Sequence, residues 1–171
     1  IDYLLELRSS GKNICAPYAE KFPNAKFIAG KRPWEVKADL YMPCAMQNDI
    51  TLDWAKEMVK NNARYLIEGA NMPTTNEAIK YLQENNVVVA PSKACNAGGV
   101  ACSCLEMAQN AEHLIWSKER VYEELEHIMD HIFEITEEAC AKYNLGDNFV
   151  AGANIAGFER VAEAMMMQGV C

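Results

Sequence analysis

The sequence has 171 residues, of which 50% are hydrophobic and 23% charged, a balance typical of a globular domain with a sizeable core. Acidic residues outnumber basic ones by 24 to 16, and the net charge of −8 argues against nucleic-acid binding. No apolar run approaches the roughly 20 residues that span a bilayer, so we expect no membrane segment. Seven cysteines, without zinc-pair spacing, favour free thiols in a reducing, cytoplasmic compartment.

The first residues do not resemble a targeting signal, because acidic residues interrupt the apolar ones in residues 1–8. The sequence also lacks an initiating methionine, which we interpret as a sign that it was cut from a longer protein. Short helices are predicted over residues 1–9 and 16–22, and Pro23 ends the second. Residues 26–28 form a possible strand.

Strand and helix patterns then alternate. Strands are predicted at 39–42, 64–68 and 87–90, and helices at 52–61 and 74–83. Thr74 and Glu77 have the spacing of the N-cap and N3 residues of a capping box. Strand, loop, helix and strand at these spacings predict a βαβ unit with parallel strands. The first half of the chain is therefore α/β.

The second half is predicted to be helical, over residues 98–116, 117–143 and 152–168. In the middle helix, apolar residues recur every three or four positions and acidic residues occupy the opposite side. This pattern indicates a long amphipathic helix packed against a larger body.

Three loops follow the predicted strands, at 43–48, 68–75 and 91–100, and they carry small residues and carboxamides. Open α/β sheets bind ligands at the carboxyl ends of their strands. A carboxamide both donates and accepts hydrogen bonds, which suits a ribose hydroxyl or a nicotinamide amide, although any one asparagine could simply cap its loop. The carboxamides concerned are Gln47, Asn48, Asn71 and Asn96.

Gly98 and Gly99 are predicted to open a helix whose free N–H groups could face an anion or a substrate carbon. Ser103 lies one turn beyond Gly99 on the same side, and its hydroxyl could donate to a carboxylate. Tight helix packing is the competing interpretation. If the ligand-binding interpretation is right, Asn71, Asn96 and Ser103 should lie along a single pocket edge.

Two other pairs of side chains, one of histidines and one of cysteines, give weaker evidence for a functional site. His127 and His131 have the spacing of two metal ligands on a helix, but the zincin glutamate and a third ligand are missing, which favours solvated side chains. Cys102 and Cys104 point in different directions on a helix, unlike a CxxC redox pair. The sequence contains no GxGxxG motif and no evident nucleophile–base pair. The residues alone therefore indicate part of an α/β ligand-binding domain.

The loop sequences closely resemble the C-terminal part of hexameric glutamate dehydrogenases of the bacterial and fungal type, which is often NADP-linked. The resemblance extends over essentially the whole chain. The matching stretches are PCAMQND at 43–49, ARYLIEGANMPTTNEA at 63–78, NAGGVACSCLEMAQN at 96–110, VAGANIAGFERVAEAM at 150–165 and the closing QGVC.

This resemblance implies oxidative deamination of L-glutamate to 2-oxoglutarate and ammonia, with hydride transfer to NAD or NADP, and the reverse reaction of ammonia assimilation. It also implies a homohexamer when the protein is complete. The implied fold is a partial Rossmann-like parallel sheet within residues 1–150, followed by a C-terminal helix at 151–171 that returns toward an N-terminal substrate domain. Cys171 would then lie at or near the natural C-terminus.

The resemblance also implies roles for individual residues. Ala45 and Met46 would line the nicotinamide ribose side of a cleft, Asn71 would contact the nicotinamide end, and Asn96 would reach the nicotinamide carboxamide or its ribose. On the substrate side, Gly99 would belong to the part that closes on glutamate, Val100 would pack on the glutamate methylenes, and Ser103 would hydrogen-bond the distal carboxylate. No metal is implied. The implied substrates are glutamate, 2-oxoglutarate and ammonia.

Several alternatives remain open at this point. A related dehydrogenase of leucine, valine or phenylalanine would share the architecture but lack a distal carboxylate for Ser103 to bind. A non-catalytic nucleotide-binding module and a thiol-redox protein are two further possibilities. The family's catalytic lysine and aspartate would precede Ile1, so we expect the isolated chain to be inactive. The residues that choose between NAD and NADP would also precede Ile1.

Overall fold

The structure is a computed structural model that describes residues 1–12 and 14–169. It contains a first unit, Ile1–Pro33, and a second unit that begins at Trp34. In the first unit, α1 (Asp2–Ser9) and α2 (Ala16–Lys21) agree with the predicted helices. A cluster of aromatic rings, with Lys21 Nζ 3.8 Å from one ring centre, joins them. The rings are those of Tyr3, Tyr18 and Phe22.

The strand predicted at residues 26–28 is wrong. These residues belong to no strand of the described chain, and Phe27 and Ile28 are 49% and 46% exposed. A strand needs a partner strand to accept and donate its backbone hydrogen bonds, so the apolar pattern of these three residues was not sufficient to predict a strand.

The second unit begins with Trp34 and Glu35, the last two residues of a single 3₁₀ turn (Pro33–Glu35), and a parallel sheet with its helices follows. The sheet has the order β1-β2-β3, and its register sets Leu40 opposite Tyr65 and Leu66 opposite Val89. The predicted α/β class and parallel strands are therefore confirmed. The elements are β1 (Leu40–Tyr41), α3 (Leu52–Lys60), β2 (Tyr65–Ile67), α4 (Asn76–Glu84) and β3 (Val88–Ala90).

The two faces of this sheet have different surroundings. On one face, Leu66 and Val89 are almost completely buried in a core that includes α3 and α4. The opposite face lines an apolar cleft of about 390 Å³ with later helices. Alternate residues of a strand point to opposite faces, so the short strands serve both layers. The sheet residues in this cleft are Tyr65, Ile67, Val88 and Ala90.

The predicted N-cap of α4 is wrong by one residue. Thr74 forms a parallel bridge with Ile50, and Thr75 N–H donates to the Ile50 carbonyl at 3.0 Å. Because Thr74 is engaged in this pairing, the N-cap is Thr75, whose hydroxyl accepts the Ala78 N–H at 3.4 Å. Glu77 therefore lies at N2, and the predicted capping box does not form.

The second half is helical, with some changed boundaries. The helix predicted at 98–116 is a single helix that begins at Ala97 and ends at Glu112, where the following residue, His113, adopts a left-handed conformation at φ 56°, and a separate short helix precedes it at Ser92–Cys95. The helix predicted to begin at Gly152 begins earlier because the Asn148 side chain caps it by accepting Ala151 N–H at 3.1 Å. The elements are α5 (Ser92–Cys95), α6 (Ala97–Glu112), α7 (Lys118–Lys142) and α8 (Phe149–Gln168).

α7 packs against α5, α6 and α8, as its amphipathic pattern predicts. At its end, Lys142 Nζ and the Tyr143 hydroxyl both donate to Glu159 Oε1 of α8, at 2.6 and 2.5 Å. These hydrogen bonds lower the pKa of the Glu159 carboxyl and raise the pKa values of Lys142 and Tyr143. The cluster fixes the end of α7 to the middle of α8.

The predicted C-terminal segment at 151–171 lies in α8 up to Gln168. The closing QGVC motif ends with Val170 and Cys171, and these two residues lie outside the described part of the chain. The division of the chain at residue 150 stays a prediction. Within 1–12 and 14–169, no helix is long and apolar enough to cross a membrane.

Candidate functional site

Backbone hydrogen bonds hold the first two strand-following loops together. Asn48 N–H donates to the Met72 carbonyl at 2.9 Å, and Ala70 N–H donates to the Pro43 carbonyl at 2.8 Å. Asn48 and Met72 both have positive φ values, 54° and 46°, which lets the two loops run side by side. The loops after β1 and β2 therefore form one surface at the carboxyl edge of the sheet.

Gly69 lies where these two loops come closest. A Cβ atom on Gly69 would be 2.8 Å from Cys44 Sγ and 3.5 Å from the Pro43 carbonyl oxygen. The first distance is shorter than a carbon–sulfur contact allows, whereas the second is ordinary van der Waals contact. Any larger residue at position 69 would therefore push the Cys44 side chain away.

We expect Gly69→Ala to destabilise the chain by about 1 kcal/mol, because only the end of an exposed side chain has to move. The measurement is the free energy of unfolding in urea. Cys44→Ala is the matched background, since it removes the sulfur atom. In that background the cost of Gly69→Ala should nearly disappear, and an unchanged cost would show that the loop contact is described wrongly.

Side chains join the second loop to the third. Asn96 Nδ2 donates to Asn71 Oδ1 at 2.5 Å, and Ser92 N–H donates to Glu68 Oε2 at 2.9 Å. The Asn71–Asn96 bond leaves Asn71 Nδ2 as a donor and Asn96 Oδ1 as an acceptor. Two of the predicted carboxamides are thus brought together as one pair with opposite hydrogen-bonding ends.

Glu68 is a buried acidic residue that lines the same cleft as this pair. Its residue is only 2% exposed, and its Oε1 atom has no hydrogen-bond partner within the described part of the chain. Burial raises the pKa of the neighbouring Cys95 thiol, and the Glu68 carboxylate raises it further by charge repulsion. The Cys95 thiol is therefore kept protonated and unreactive.

These residues line a cleft of about 510 Å³, within the size range of small-molecule sites. At its rim, Lys93 Nζ donates a hydrogen bond to Asn154 Oδ1 of α8. The remaining lining mixes apolar and neutral polar side chains. The cleft residues used below are Glu68, Asn71, Thr74, Lys93, Asn96 and Asn154.

The other predicted site residues lie elsewhere. Ala45 and Met46 are exposed on the first loop, outside the lining of this cleft. Gly99 and Val100 are exposed near the start of α6, and a Cβ on Gly99 would meet no atom within 4 Å. Ser103 is also exposed, and its hydroxyl donates to the Gly99 carbonyl at 3.4 Å.

The expected single edge of Asn71, Asn96 and Ser103 is therefore only partly formed. Asn71 and Asn96 meet, whereas Ser103 does not line the same cleft. Ser103 lies seven residues beyond Asn96, which corresponds to a distance of about 10 Å along the axis of α6. The surface on α6 is a second region, which follows the first in sequence.

Sequence reasoning overlooked Glu68, Lys93 and Asn154 as cleft residues. Glu68 could have been found, because an acidic residue at the end of a buried strand must acquire a partner or a function. Lys93 and Asn154 are 61 positions apart, and no local pattern predicts that they meet.

Other candidate chemistries find less support in the structure. Among the described residues, no group of three or more histidine, cysteine or acidic residues is arranged to hold a metal ion. His127 and His131 are exposed, and His131 lies 3.9 Å from Glu134. The six described cysteines are free thiols, and Cys102 and Cys104 are both exposed on α6.

Comparison with known proteins adds family evidence to this geometry. Residues 1–169 match the family described as glutamate/leucine/phenylalanine/valine dehydrogenase. The chain is 53% identical to an NAD-specific glutamate dehydrogenase of Clostridium symbiosum, over 99% of this chain and 38% of that protein. It is 47% identical to an NADP-specific glutamate dehydrogenase of Salmonella typhi, over 98% of this chain and 37% of that protein.

Solved structures agree with the sequence matches. A glutamate dehydrogenase structure superimposes with a TM-score of 0.92 at 51% identity, covering 99% of this chain and 38% of that one. The glutamate dehydrogenase of Plasmodium falciparum gives a TM-score of 0.90 at 43% identity, covering 98% of this chain and 36% of that one. The chain thus spans a little over a third of the length of these relatives.

Proposed function

The chain belongs to the glutamate/leucine/phenylalanine/valine dehydrogenase family, and on this basis we propose that it forms the nicotinamide side of a glutamate dehydrogenase active site. The proposed reaction converts L-glutamate to 2-oxoglutarate and ammonia and also runs in reverse. Both relatives named above are glutamate dehydrogenases, which favours glutamate over the other amino acids in the family description.

The observation that carries this proposal is the Asn71–Asn96 pair at the carboxyl edge of a parallel sheet. This edge is where α/β folds bind nucleotides. A nicotinamide carboxamide needs one acceptor and one donor from the protein, and the pair retains Asn96 Oδ1 and Asn71 Nδ2 for these roles. The volume of the adjacent cleft is also large enough for the nicotinamide end of a cofactor.

The proposed cofactor is NAD or NADP, since relatives specific for each match the chain. When bound, the nicotinamide accepts or returns the hydride. Asn71 and Asn96 would orient the carboxamide of that ring, and Ala45 and Met46 of the adjoining loop would line its ribose. Backbone and side-chain hydrogen bonds join these loops, so the residues that would hold the ring are themselves fixed relative to one another.

The proposed substrate side is the exposed surface at the start of α6. Gly99 leaves space for the substrate, because a Cβ there would meet no atom of this chain within 4 Å. Val100, 69% exposed, would pack on the glutamate methylenes, and the Ser103 hydroxyl would bind the distal carboxylate. This surface is separate from the carboxamide pair. The substrate would therefore bind at the start of α6, beside the proposed nicotinamide site and not within it.

Assembly, compartment and domain arrangement belong to the same proposal. We expect a homohexamer in the cytoplasm, with α8 leading from the cofactor half toward a substrate domain. The exposed side of α8 gives such a contact an apolar surface. Its exposed side chains are Phe158, Val161, Met165, Met166 and Met167.

A chimaeric enzyme tests the proposed function. In it, this chain replaces the matching 38% of the Clostridium symbiosum NAD-specific glutamate dehydrogenase. We expect NAD reduction with glutamate and little with leucine, valine or phenylalanine. The isolated chain serves as the control and should show no turnover, because it spans only 38% of the length of that enzyme. A folded chimaera without glutamate oxidation would contradict the proposal.

We expect Ser103→Ala to lower the preference for glutamate over norvaline by about tenfold in the chimaera. A lost hydroxyl donor leaves the distal carboxylate without one hydrogen bond, whereas norvaline has no such group. The measurement is kcat/KM for both substrates. Cys104→Ala, a change to an exposed neighbour on α6, is the control. An unchanged preference would remove Ser103 from the substrate site.

A further inference from the structure

Glu68 places an acidic side chain in the buried lining of the cleft. Its Oε2 accepts the Ser92 N–H at 2.9 Å, a bond that a glutamine carbonyl could also make. Burying a charge costs more than burying an amide, and this one is 98% removed from solvent. The choice of an acidic side chain at this position therefore requires an explanation.

Two buried oxygen atoms in the cleft, one of them the second carboxyl oxygen of Glu68, lack hydrogen-bond partners in the described chain. These atoms are Glu68 Oε1 and the Thr74 hydroxyl oxygen. Both residues line the cleft beside the Asn71–Asn96 pair. Buried polar atoms are normally satisfied, so these two indicate a ligand or ordered water within the cleft.

The electrostatic balance of the cleft favours a positive ligand. Among its lining residues, Glu68 and Lys93 are the charged ones. The Lys93 side chain is exposed, so water screens its charge, and Asn154 already accepts one of its hydrogen bonds. Glu68 is buried, so its negative charge is screened far less.

We propose that Glu68 makes the floor of the cleft anionic and thereby favours a cationic nicotinamide ring over its neutral, reduced form. This inference rests on the proposed function, because it takes the ligand to be a nicotinamide. The oxidised ring carries a positive charge that the reduced ring lacks. Glu68 would then be a specificity-determining residue that shifts the relative affinity for oxidised and reduced cofactor.

Two small probes isolate this charge effect. The 1-methylnicotinamide cation and its 1,4-dihydro form share one skeleton and differ by a hydride. Each is titrated into the ¹⁵N-labelled 171-residue chain, and dissociation constants are read from the Ser92 amide and the Asn96 side-chain amide. We expect the cation to bind about tenfold more tightly, as an unscreened charge at short range implies.

Glu68→Gln should reduce this preference to about twofold or less. Glu77→Gln, the same chemical change at an exposed position on α4, is the matched control and should retain it. If Glu68 were purely structural, Glu68→Gln would weaken both probes equally and leave the ratio unchanged, which would overturn the inference. If that variant does not fold, the test is the ratio of the two probes' dissociation constants for the wild-type chain. Equal affinities would overturn the inference.

The possible failures remain distinguishable. Equal affinities for the two probes would refute the charge effect and leave glutamate oxidation by the chimaera unaffected. An inactive chimaera together with a preference for the cation would refute the proposed function and retain an anionic site. Binding of neither probe at their solubility limits would overturn the inference.

Discussion

Replacing Gly152 by alanine is expected to destabilise the chain by about 3 kcal/mol, the largest single effect on stability that we predict. A Cβ atom at this buried position would be 2.4 Å from Cys140 Sγ and 2.9 Å from the Thr136 carbonyl oxygen. The carbonyl belongs to the backbone of α7 and cannot rotate away. The helices α7 and α8 would therefore have to separate, which outweighs the gain of about 1 kcal/mol from alanine's higher helix propensity.

The free energy of unfolding in urea measures this effect, and Gly157→Ala is its matched control. Gly157 lies in the same helix, but a Cβ there would meet nothing within 4 Å, so alanine should stabilise the chain by about 0.5–1 kcal/mol. Cys140→Ala combined with Gly152→Ala should restore only part of the loss, because the Thr136 carbonyl remains. Equal effects at the two glycines would contradict the described packing.

The second large effect concerns the carboxamide pair. Asn71→Ala and Asn96→Ala are each expected to weaken cofactor binding in the chimaera about tenfold. Each variant removes one hydrogen-bonding end from the nicotinamide site and leaves the other asparagine without its partner. Because the two side chains bond each other, the double variant should lose less than the sum of the two single effects.

Equilibrium dissociation constants for NAD measure this coupling, which we expect to be about 0.5–1.5 kcal/mol. Asn110→Ala is the control, because Asn110 is exposed on α6 and outside the cleft. Strictly additive losses would mean that the two carboxamides act separately. Unchanged affinity in both single variants would remove them from the cofactor site.

Much of the sheet and its loops could be predicted because local signals agree with the tertiary contacts. The β-branched run before Pro91 and the apolar residues of β2 indicated buried strands, and both belong to the parallel sheet. Loop position followed from strand position, so the meeting of Asn71 and Asn96 was expected from topology.

The failures have physical causes of their own. Thr74 has the spacing of an N-cap, but its pairing with Ile50, 24 residues away, moves the cap to Thr75. Residues 26–28 have an apolar strand pattern but pair with no strand among the residues that the structure describes. In both cases a nonlocal partner, or its absence, determined the outcome.

The site was less predictable than the sheet. The Lys93–Asn154 contact joins distant parts of the sequence, and the hydrogen-bond partner of the buried Glu68 side chain, Ser92, lies 24 positions away. The expected position of Ser103 beside the carboxamides relied on the short sequence distance, whereas α6 carries it away from the cleft along the helix axis.

A crystal structure of the chimaera with NAD and 2-oxoglutarate tests the central proposal most directly. We predict that the nicotinamide carboxamide lies within hydrogen-bonding distance of the Asn71 and Asn96 side chains, with the ring facing the start of α6. A nicotinamide bound at another edge of the sheet, with both asparagines contacting only each other, would contradict the assignment of this cleft.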